Sequence, residues 1–301
     1  MIRIGIGGCE LTAETLSYAF DRLEKDEVLC VDEGSGYQGK NVSEKIFGEW
    51  FKDKDRSKIY LIDKLPLFDQ HYKETFGWSM YEATDEQLEY GIRETLKKQL
   101  EYLNTDYLDC YMLHAIFDLQ HSQDYDIEKD IRLYKKVTPI LLKLKEEGLV
   151  KSLGYSAHIT FERLSYFLSE VDPNNEIFTV AEVSYNILNS SGSKWLKNQT
   201  GIMVWDAIGE KGIKYLKNKG YTVVCCMPME SGRVCQINTS KPFLNWARRF
   251  VLDNKDLDII LAGTKSVKHL QEWYDCEDRS AFKVPDMRDL GIEGVVCGVN
   301  A

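Results

Sequence analysis

An aspartate and a tyrosine five residues apart are the side chains of this sequence best suited to acid–base chemistry. Asp32 and Tyr37 lie in the glycine-rich segment VDEGSGYQGKNVSE. The apolar run VLCV ends at Asp32, so we expect this loop to leave a buried strand. Lys64 comes after the apolar run KIYLID, and His114 comes after YLDCYML. Polar residues placed just past several apolar runs are typical of one site assembled from strand ends.

These four side chains form a coherent set for moving a proton onto a carbonyl oxygen. A phenol is a weak acid, with an ordinary pKa of about 10. A nearby ammonium stabilises phenolate and lowers that pKa, and a carboxylate can hold the ammonium in position. We therefore predict that Tyr37 is the general acid, Lys64 its activator and Asp32 the anchor of the lysine. His114 is predicted to orient a substrate carbonyl or to share in the proton transfer.

Each of the four residues also has an ordinary structural interpretation. A tyrosine in a glycine-rich loop is often simply exposed, and a lysine at a strand end is often solvated. A histidine after an apolar strand is as often a buried hydrogen-bonding residue as a catalyst. The catalytic hypothesis depends on all four falling at the mouths of consecutive strands.

The elements that must position this set alternate between strands and helices. Eight repeats in 301 residues predict a parallel sheet closed into a single (β/α)8 barrel, the TIM barrel of the α/β class. The barrel is predicted over residues 1–275, with an irregular tail over 276–301. The predicted strands span 2–6, 28–31, 58–62, 106–113, 150–155, 178–183, 221–226 and 257–261.

Helix starts are marked by capping residues. Thr12, Ser43 and the capping box from Thr84 to Gln87 are predicted to begin helices. Pro139 is predicted to kink or split the helix over 127–147. The aromatic-rich connection 65–83 is predicted to be irregular, either a lid or a cover for the barrel edge. The later helices are predicted over 160–169, 206–219, 242–252 and 266–273.

Composition excludes several classes of protein. The formal charge of −10 disfavours a nucleic-acid surface. We find neither a charged-then-apolar leader nor an apolar run long enough to cross a bilayer, so we expect a cytoplasmic protein with no membrane partner. The eight cysteines form no C-x-x-C pair, which predicts free thiols and no metal site. We expect a monomer or a weak homo-oligomer.

Four segments resemble those of the aldo-keto reductases. VDEGSGYQGKNVSEKIFG is similar to their FDTAxxYGxGxSExxLG segment, and LKKQLEYLNTDYLDCYMLH to SLxRLxxDYxDLYxxH. LKEEGLVKSLGYSAHIT resembles LxxxGKxRxIGVSNxx, and VAEVSYNIL resembles NQxxYNLL. The resemblance covers residues 4–273. It implies an oxidoreductase that uses NADP(H), with NAD(H) as the alternative, to reduce a small carbonyl compound or to oxidise the corresponding alcohol.

The resemblance also implies roles for single residues. Tyr37 matches the acid/base of the family, with Asp32, Lys64 and His114 as its partners. Ser156 matches a residue that holds the nicotinamide carboxamide, and the segment after the eighth strand matches the loop that binds the adenosine phosphate. The residues expected to bind the cofactor are Ser156, Glu182, Tyr185, Cys226, Met227, Gly263, Thr264, Lys265, Ser266, Lys268, His269 and Glu272.

The chain departs from the family pattern at several places around the nicotinamide. Ala157 stands where the family has an asparagine, and Glu182 stands where it has a glutamine. The aromatic residue that stacks on nicotinamide is replaced by Cys226 or Met227, and the glycine after the catalytic tyrosine is Gln38. The pattern SAH is closer to ferredoxin-linked members of the family, whose cysteine-rich C-terminal module is missing. His269 stands at the start of the last helix, where the family often has an arginine.

Two alternatives stay open on these departures. One is a barrel that keeps the acid–base set but catalyses a non-redox elimination or isomerisation. The other is a non-catalytic subunit that senses cofactor occupancy. A metal-dependent hydrolase is disfavoured because no H-x-H or H-E-x-x-H spacing occurs. The substrate is not predicted, although aromatic residues of the connections indicate an apolar pocket or simple packing: Phe68, Phe76, Trp78, Phe117, Trp195 and Trp205.

Overall fold

A computed structural model describes residues 3–117, 126–192 and 205–277. Eight parallel strands close into a barrel in chain order, with β1 paired to β8, so the predicted (β/α)8 barrel is confirmed. The strands are β1 Ile4–Gly7, β2 Leu29–Asp32, β3 Ile59–Leu65, β4 Leu108–Leu113, β5 Val150–Ala157, β6 Val180–Ser184, β7 Thr222–Cys226 and β8 Ile259–Ala262.

Helices surround the barrel and cover its outer face. They are α1 Ala13–Phe20, α2 Val42–Phe51, α3 Asp69–Phe76, α4 Asp85–Leu103, α5 Ile127–Glu146, α6 Phe161–Val171, α7 Gly209–Asn218, α8 Lys241–Asp253 and α9 Val267–Glu277. Short 3₁₀ turns lie at Gly8–Glu10, Arg56–Lys58 and Glu230–Gln236.

The strands contribute to two different parts of the core because their side chains alternate between the two faces of the sheet. Outward-facing apolar residues of the strands pack against the helices in one large cluster. Inward-facing residues such as Cys30, Ile62 and Met112 fill the barrel below its mouth. Asp32 and Lys64 come two residues after Cys30 and Ile62, so they face inward one layer higher. The strand period therefore places polar side chains above an apolar plug.

The sequence placed several strand ends too early. Lys64 was expected after its strand, but it lies within β3, which pairs with β4 as far as Leu65 opposite Leu113. Strand β5 likewise continues through Ser156 to Ala157. The apolar runs end before the strands do, because the ladder of backbone hydrogen bonds continues through the polar residues at the barrel mouth.

The connection 65–83 is not wholly irregular as predicted, because α3 forms within it. Gly77, at φ 81°, ends this helix in the left-handed conformation. The Asp69 carboxylate accepts hydrogen bonds from Ser79 Oγ at 2.8 Å and from the Met80 backbone N–H at 2.9 Å. Buried Tyr72 anchors the helix. The aromatic residues of this segment thus pack on one another around an element that periodicity did not indicate.

Of the kink or split predicted at Pro139, the split is wrong, since α5 runs through the proline. The proline lies on the exposed face, where solvent can satisfy the carbonyl that loses its partner. Ser43 lies inside α2 rather than before it, since Asn41, at φ 58°, precedes the helix. The side-chain caps at Thr12 and Thr84 are confirmed.

Some predictions concern residues at the ends of the three described ranges or outside them. Cys276 belongs to α9, which continues two residues past the predicted barrel end at 275. The rest of the predicted tail, with Cys297, lies outside the described residues, as does Trp195. In the three described ranges, none of the helices combines the length and the apolar character that crossing a bilayer requires.

Candidate active site

The structure brings the four predicted catalytic side chains together at the mouth of the barrel. Lys64 Nζ donates a hydrogen bond to Asp32 Oδ1 and lies 5.0 Å from the centre of the Tyr37 ring. The rings of Tyr37 and His114 meet edge to face, with their centroids 5.9 Å apart. Strands β2, β3 and β4 are neighbours in the barrel, so side chains distant in sequence converge.

Lys64 is fully buried and has more partners than the sequence indicated. Its Nζ lies 3.2 Å from Glu182 Oε2 and donates to the Glu33 backbone carbonyl oxygen at 3.2 Å. Gln99 Nε2 donates to the Lys64 carbonyl oxygen at 2.9 Å. Glu182 was predicted only as a cofactor-binding residue, and Gln99 was not predicted as part of the site. The glutamate in place of the family's glutamine was a sequence signal for the contact between Glu182 and Lys64. We see no sequence signal for the contact made by Gln99.

The charges of this group are strongly coupled. Burial alone would lower the pKa of Lys64, but Asp32 and Glu182 outweigh it and raise that pKa well above its ordinary value. Burial, together with the Glu182 carboxylate, raises the pKa of Asp32 against the opposing effect of Lys64. The lysine is therefore held as an ammonium, and this one positive charge is paired with two carboxyl groups.

Tyr37 is held as a neutral phenol. Burial raises its pKa well above the ordinary value, and the carboxylates of Asp32 and Glu182 add to this. The Lys64 ammonium lowers the pKa of Tyr37, as predicted, but its effect is smaller than that of burial and the carboxylates. Burial and the two carboxylates, whose combined effect the spacing of residues does not reveal, outweigh the predicted effect of the ammonium. A protonated phenol is the form that can donate to a carbonyl oxygen.

His114 is held as a neutral imidazole. Burial, Lys64 and His158 lower its pKa to about 3. Its Nδ1 is enclosed and has no hydrogen-bond partner among the described residues, and Phe68 lies edge to face against the ring at a centroid distance of 5.4 Å. A neutral imidazole can donate a hydrogen bond to a carbonyl oxygen without competing with Tyr37 for a proton.

The loop that carries Tyr37 is fixed by close packing. A Cβ on Gly34 would lie 3.1 Å from the Tyr37 ring carbon Cζ, so the glycine lets the ring lie against the backbone. Gln38 occupies the left-handed region at φ 55°, where the family pattern has glycine. Its Nε2 donates to the carbonyl oxygens of Gly8 at 3.2 Å and Leu11 at 2.8 Å. These hydrogen bonds offset the backbone strain.

Part of the predicted cofactor set lines the same mouth. Ser156 and Glu182 lie side by side, as Cα partners in the β5–β6 register, and both are buried. Ser156 Oγ accepts a hydrogen bond from the Ala115 backbone N–H at 2.8 Å, so its own hydroxyl hydrogen is available to donate. Cys226 ends β7, and Met227 follows it at φ 51°.

The predicted phosphate loop surrounds the start of α9. Thr264 Oγ1 accepts from the Ser266 backbone N–H at 3.1 Å. Lys265 Nζ, after β8, pairs at 3.1 Å with Glu10 Oε2, after the neighbouring strand β1, and both side chains are largely exposed. A helix start flanked by cations is suited to binding an anion. The predicted phosphate residues thus lie together in the structure: Gly263, Thr264, Lys265, Ser266, Lys268 and His269.

Two predicted cofactor residues lie apart from this arrangement. Tyr185 comes three residues after Glu182 and therefore faces outward, where its ring stacks on Phe250 and its hydroxyl donates to Glu210 Oε1 at 2.9 Å. Glu272 accepts a hydrogen bond from Arg248 NH2. Both side chains are engaged in the outer wall by residues of the helices.

Few of the predicted pocket aromatics reach the site. Phe68 contacts His114, and Trp205 lies 5.7 Å from His158 between ring centroids. Phe117 is fully buried in the core, and Phe76 stacks on Trp78 at 5.4 Å. Within the described part of the chain, no group of three or more histidine, cysteine or acidic residues is arranged to hold a metal ion.

Comparison with known proteins agrees with the geometry. The model of the Aldo/keto reductase family matches residues 9–280, nearly the whole chain. The chain belongs to the aldo-keto reductase family. Among aldo-keto reductases of known structure, one from Klebsiella pneumoniae in complex with NADP and acetate superposes with a TM-score of 0.63 at 15% identity, covering 96% of this chain and 89% of that one.

Other relatives extend the same picture. The holo form of an aldo-keto reductase from Bacillus halodurans superposes with a TM-score of 0.60 at 17% identity, covering 96% of this chain and 91% of that one. L-galactose dehydrogenase of Arabidopsis thaliana is 22% identical over 285 residues, which covers 86% of this chain and 75% of the relative. At such low identities the structural likeness concerns the fold.

Proposed function

We propose that this aldo-keto reductase is an NADP(H)-dependent oxidoreductase that interconverts a carbonyl compound and its alcohol. The observation that carries the proposal is the convergence of Asp32, Tyr37, Lys64 and His114 at one barrel mouth. Structures of relatives contain NADP or NADPH, which supports the choice of cofactor. NAD(H) is the alternative.

The proton chemistry follows from the charge states. Tyr37, held as a neutral phenol, donates its proton to the carbonyl oxygen as hydride reaches the carbonyl carbon. Lys64 stabilises the phenolate that remains, because its ammonium faces the ring. Asp32 holds the ammonium in place. His114 donates a hydrogen bond to the same oxygen from a neutral imidazole. In the reverse direction, Tyr37 as phenolate removes the alcohol proton.

The residues at the mouth fit a nicotinamide cofactor. The Ser156 hydroxyl retains a free hydrogen for the carboxamide oxygen, and Glu182 can accept from the carboxamide NH₂. A Cβ placed on Gly263 would have only the Gly7 carbonyl oxygen nearby, at 4.0 Å, which leaves open space above β1 and β8. Lys265 and Lys268 beside the α9 start are suited to a phosphate. When bound, the nicotinamide supplies or accepts the hydride.

The test is a pair of measurements on the purified full chain. NADPH binding is followed by fluorescence or calorimetry, and oxidation of NADPH is followed by absorbance with a panel of aldehydes, with the reverse reaction measured on alcohols. We expect a micromolar dissociation constant and turnover of at least one substrate class. An absence of binding at millimolar NADPH would refute the proposal.

A non-redox acid–base reaction is the second candidate. The replacement of an asparagine by Ala157 and the engagement of Glu182 by Lys64 favour it, because both weaken the grip on the carboxamide. Turnover that continues without cofactor but is lost in Tyr37→Phe would favour this reading. Tight binding of a cofactor without any turnover would instead support a sensing subunit.

We also propose that the protein acts in the cytoplasm as a monomer or weak homo-oligomer. Light scattering after size exclusion can test the oligomeric state.

A further inference from the structure

Glu182 brings a second carboxyl group to the catalytic lysine. Its side chain, which is 3% exposed, reaches Lys64 Nζ at 3.2 Å, while Asp32 is hydrogen-bonded to the same nitrogen. No other cation among residues 3–117, 126–192 and 205–277 pairs with Glu182 within 4 Å. Burial and Glu182 raise the pKa of Asp32, so the buried cluster reaches a net charge of −1 only when the proton between the two carboxyl groups is lost, which a nearby positive charge favours. The family's glutamine at this position would leave Asp32 and Lys64 balanced.

The second carboxyl group faces the place proposed for nicotinamide. Glu182 is the Cα partner of Ser156 in neighbouring strands, and the side chains of register partners lie on the same face of the sheet. Ser156 has a free hydroxyl hydrogen, and the buried Glu182 Oε2 has no hydrogen-bond partner of its own apart from the ion pair. A ligand that brings one positive charge to this position would balance the cluster.

The oxidised nicotinamide ring carries one positive charge, and the reduced ring is neutral. We propose that Glu182 makes this site bind the oxidised cofactor more tightly than the reduced one. This inference rests on the proposed NADP(H)-dependent function. The attraction acts in a buried site, where charges are poorly screened. It distinguishes the two redox forms because only one of them carries the ring charge.

The preference acts on the equilibrium between the bound reactants. Tighter binding of the oxidised cofactor would make it a weaker hydride acceptor and would make the reduced cofactor a stronger hydride donor, so Glu182 would favour carbonyl reduction at this step. A positive ring near Tyr37 would also favour phenolate, the form that remains after the carbonyl oxygen has taken the proton. Glu182 would thus act on the cofactor and, through it, on Tyr37.

The experiment measures the dissociation constants of NADP⁺ and NADPH by calorimetry for the wild-type chain, Glu182→Gln and Glu210→Gln. Glu210→Gln is the matched control, because it removes one carboxylate from the outer wall, where it contacts Tyr185. We expect the wild type to bind NADP⁺ more tightly than NADPH. Glu182→Gln should shift the ratio about tenfold towards NADPH, equivalent to about 1.4 kcal/mol, and Glu210→Gln should leave it unchanged.

Two results would overturn the inference while leaving the proposed function intact. One is a wild-type protein that binds NADPH as tightly as NADP⁺ or more tightly, which needs no variant to establish. The other is a Glu182→Gln protein in which both dissociation constants change by the same factor. A wild-type protein that binds neither form would instead refute the proposed function, and the inference would fall with it.

Discussion

Lys64 Nζ lies 3.2 Å from Glu182 Oε2 while it is also hydrogen-bonded to Asp32, so one buried ammonium serves two carboxylates. This arrangement affects the charge states of the whole site. It holds the lysine charged, it raises the pKa of Tyr37 against the effect of the lysine, and it puts two carboxyl groups beside the place where a nicotinamide ring is proposed to bind.

Lys64→Met should destabilise the fold strongly. Removing the ammonium leaves two buried carboxyls without their counter-charge, and breaking a buried ion pair costs about 3–5 kcal/mol. The free energy of unfolding is measured by urea denaturation at pH 7. Lys265→Met is the control, since its pair with Glu10 is exposed and should contribute less than about 1 kcal/mol. Equal losses in the two variants would contradict the structure.

Tyr37→Phe should abolish most turnover without weakening cofactor binding. The phenol hydroxyl is the proposed proton donor, and loss of a general acid typically lowers kcat by about 10²–10⁴-fold. The ring remains to pack on Gly34, so the fold should be unaffected. Steady-state kinetics and NADPH titration are run in parallel, with exposed Tyr90→Phe as the control. A Tyr37→Phe protein with wild-type kcat would exclude Tyr37 as the acid.

Glu33→Gln should stabilise the protein relative to wild type as the pH rises. Burial and the neighbouring Glu44 raise the pKa of Glu33 to about 8, above its ordinary value. Between the ordinary pKa and pH 8, the folded state keeps a proton that the unfolded state releases, so stability falls with rising pH by up to about 1.4 kcal/mol per unit. Urea denaturation at pH 5 and pH 8 tests this. A difference between the proteins that is independent of pH would contradict it.

His114 should remain neutral in the folded protein down to about pH 4. Its pKa is lowered to about 3, whereas an unfolded chain titrates its histidines near pH 6.5. The unfolded state therefore binds a proton first, and the stability contributed by His114 is lost as pH falls from about 6.5 towards 3. Nitrogen chemical shifts of the imidazole follow the titration, with the urea-unfolded chain as reference. A folded-state titration near pH 6.5 would disagree with the geometry.

Gly48→Ala should destabilise the contact between α2 and α4. A Cβ at this position would lie 1.9 Å from the Tyr102 carbonyl oxygen, so the helices must move apart at a cost of about 1–3 kcal/mol. Gly36→Ala is the matched control, because a Cβ there meets nothing within 4 Å. Thermal denaturation should separate the two. A Gly48→Ala protein as stable as Gly36→Ala would mean that the helices pack less closely.

The sequence alone determined the architecture and the four side chains that are proposed for catalysis. Eight apolar runs alternating with amphipathic helices indicate a parallel sheet with both faces buried, and eight repeats in a chain of this length favour its closure into a barrel. Asp32, Lys64 and His114 could be placed at strand ends, and Tyr37 in the loop after β2, since such a barrel gathers these positions at one end. Local capping at Thr12 and Thr84 was equally readable, because it depends on residues three apart.

Only the tertiary structure decided the charge balance within that set. The contact between Lys64 and Glu182 joins β3 to β6, and nothing in the spacing of residues encodes a distance across the barrel. The outward direction of Tyr185 depends on the strand register, which apolar runs do not fix. The pKa values of Tyr37 and His114 depend on burial, which is a property of the packed molecule. Residue types therefore predicted the chemistry, and packing set the protonation states in which it operates.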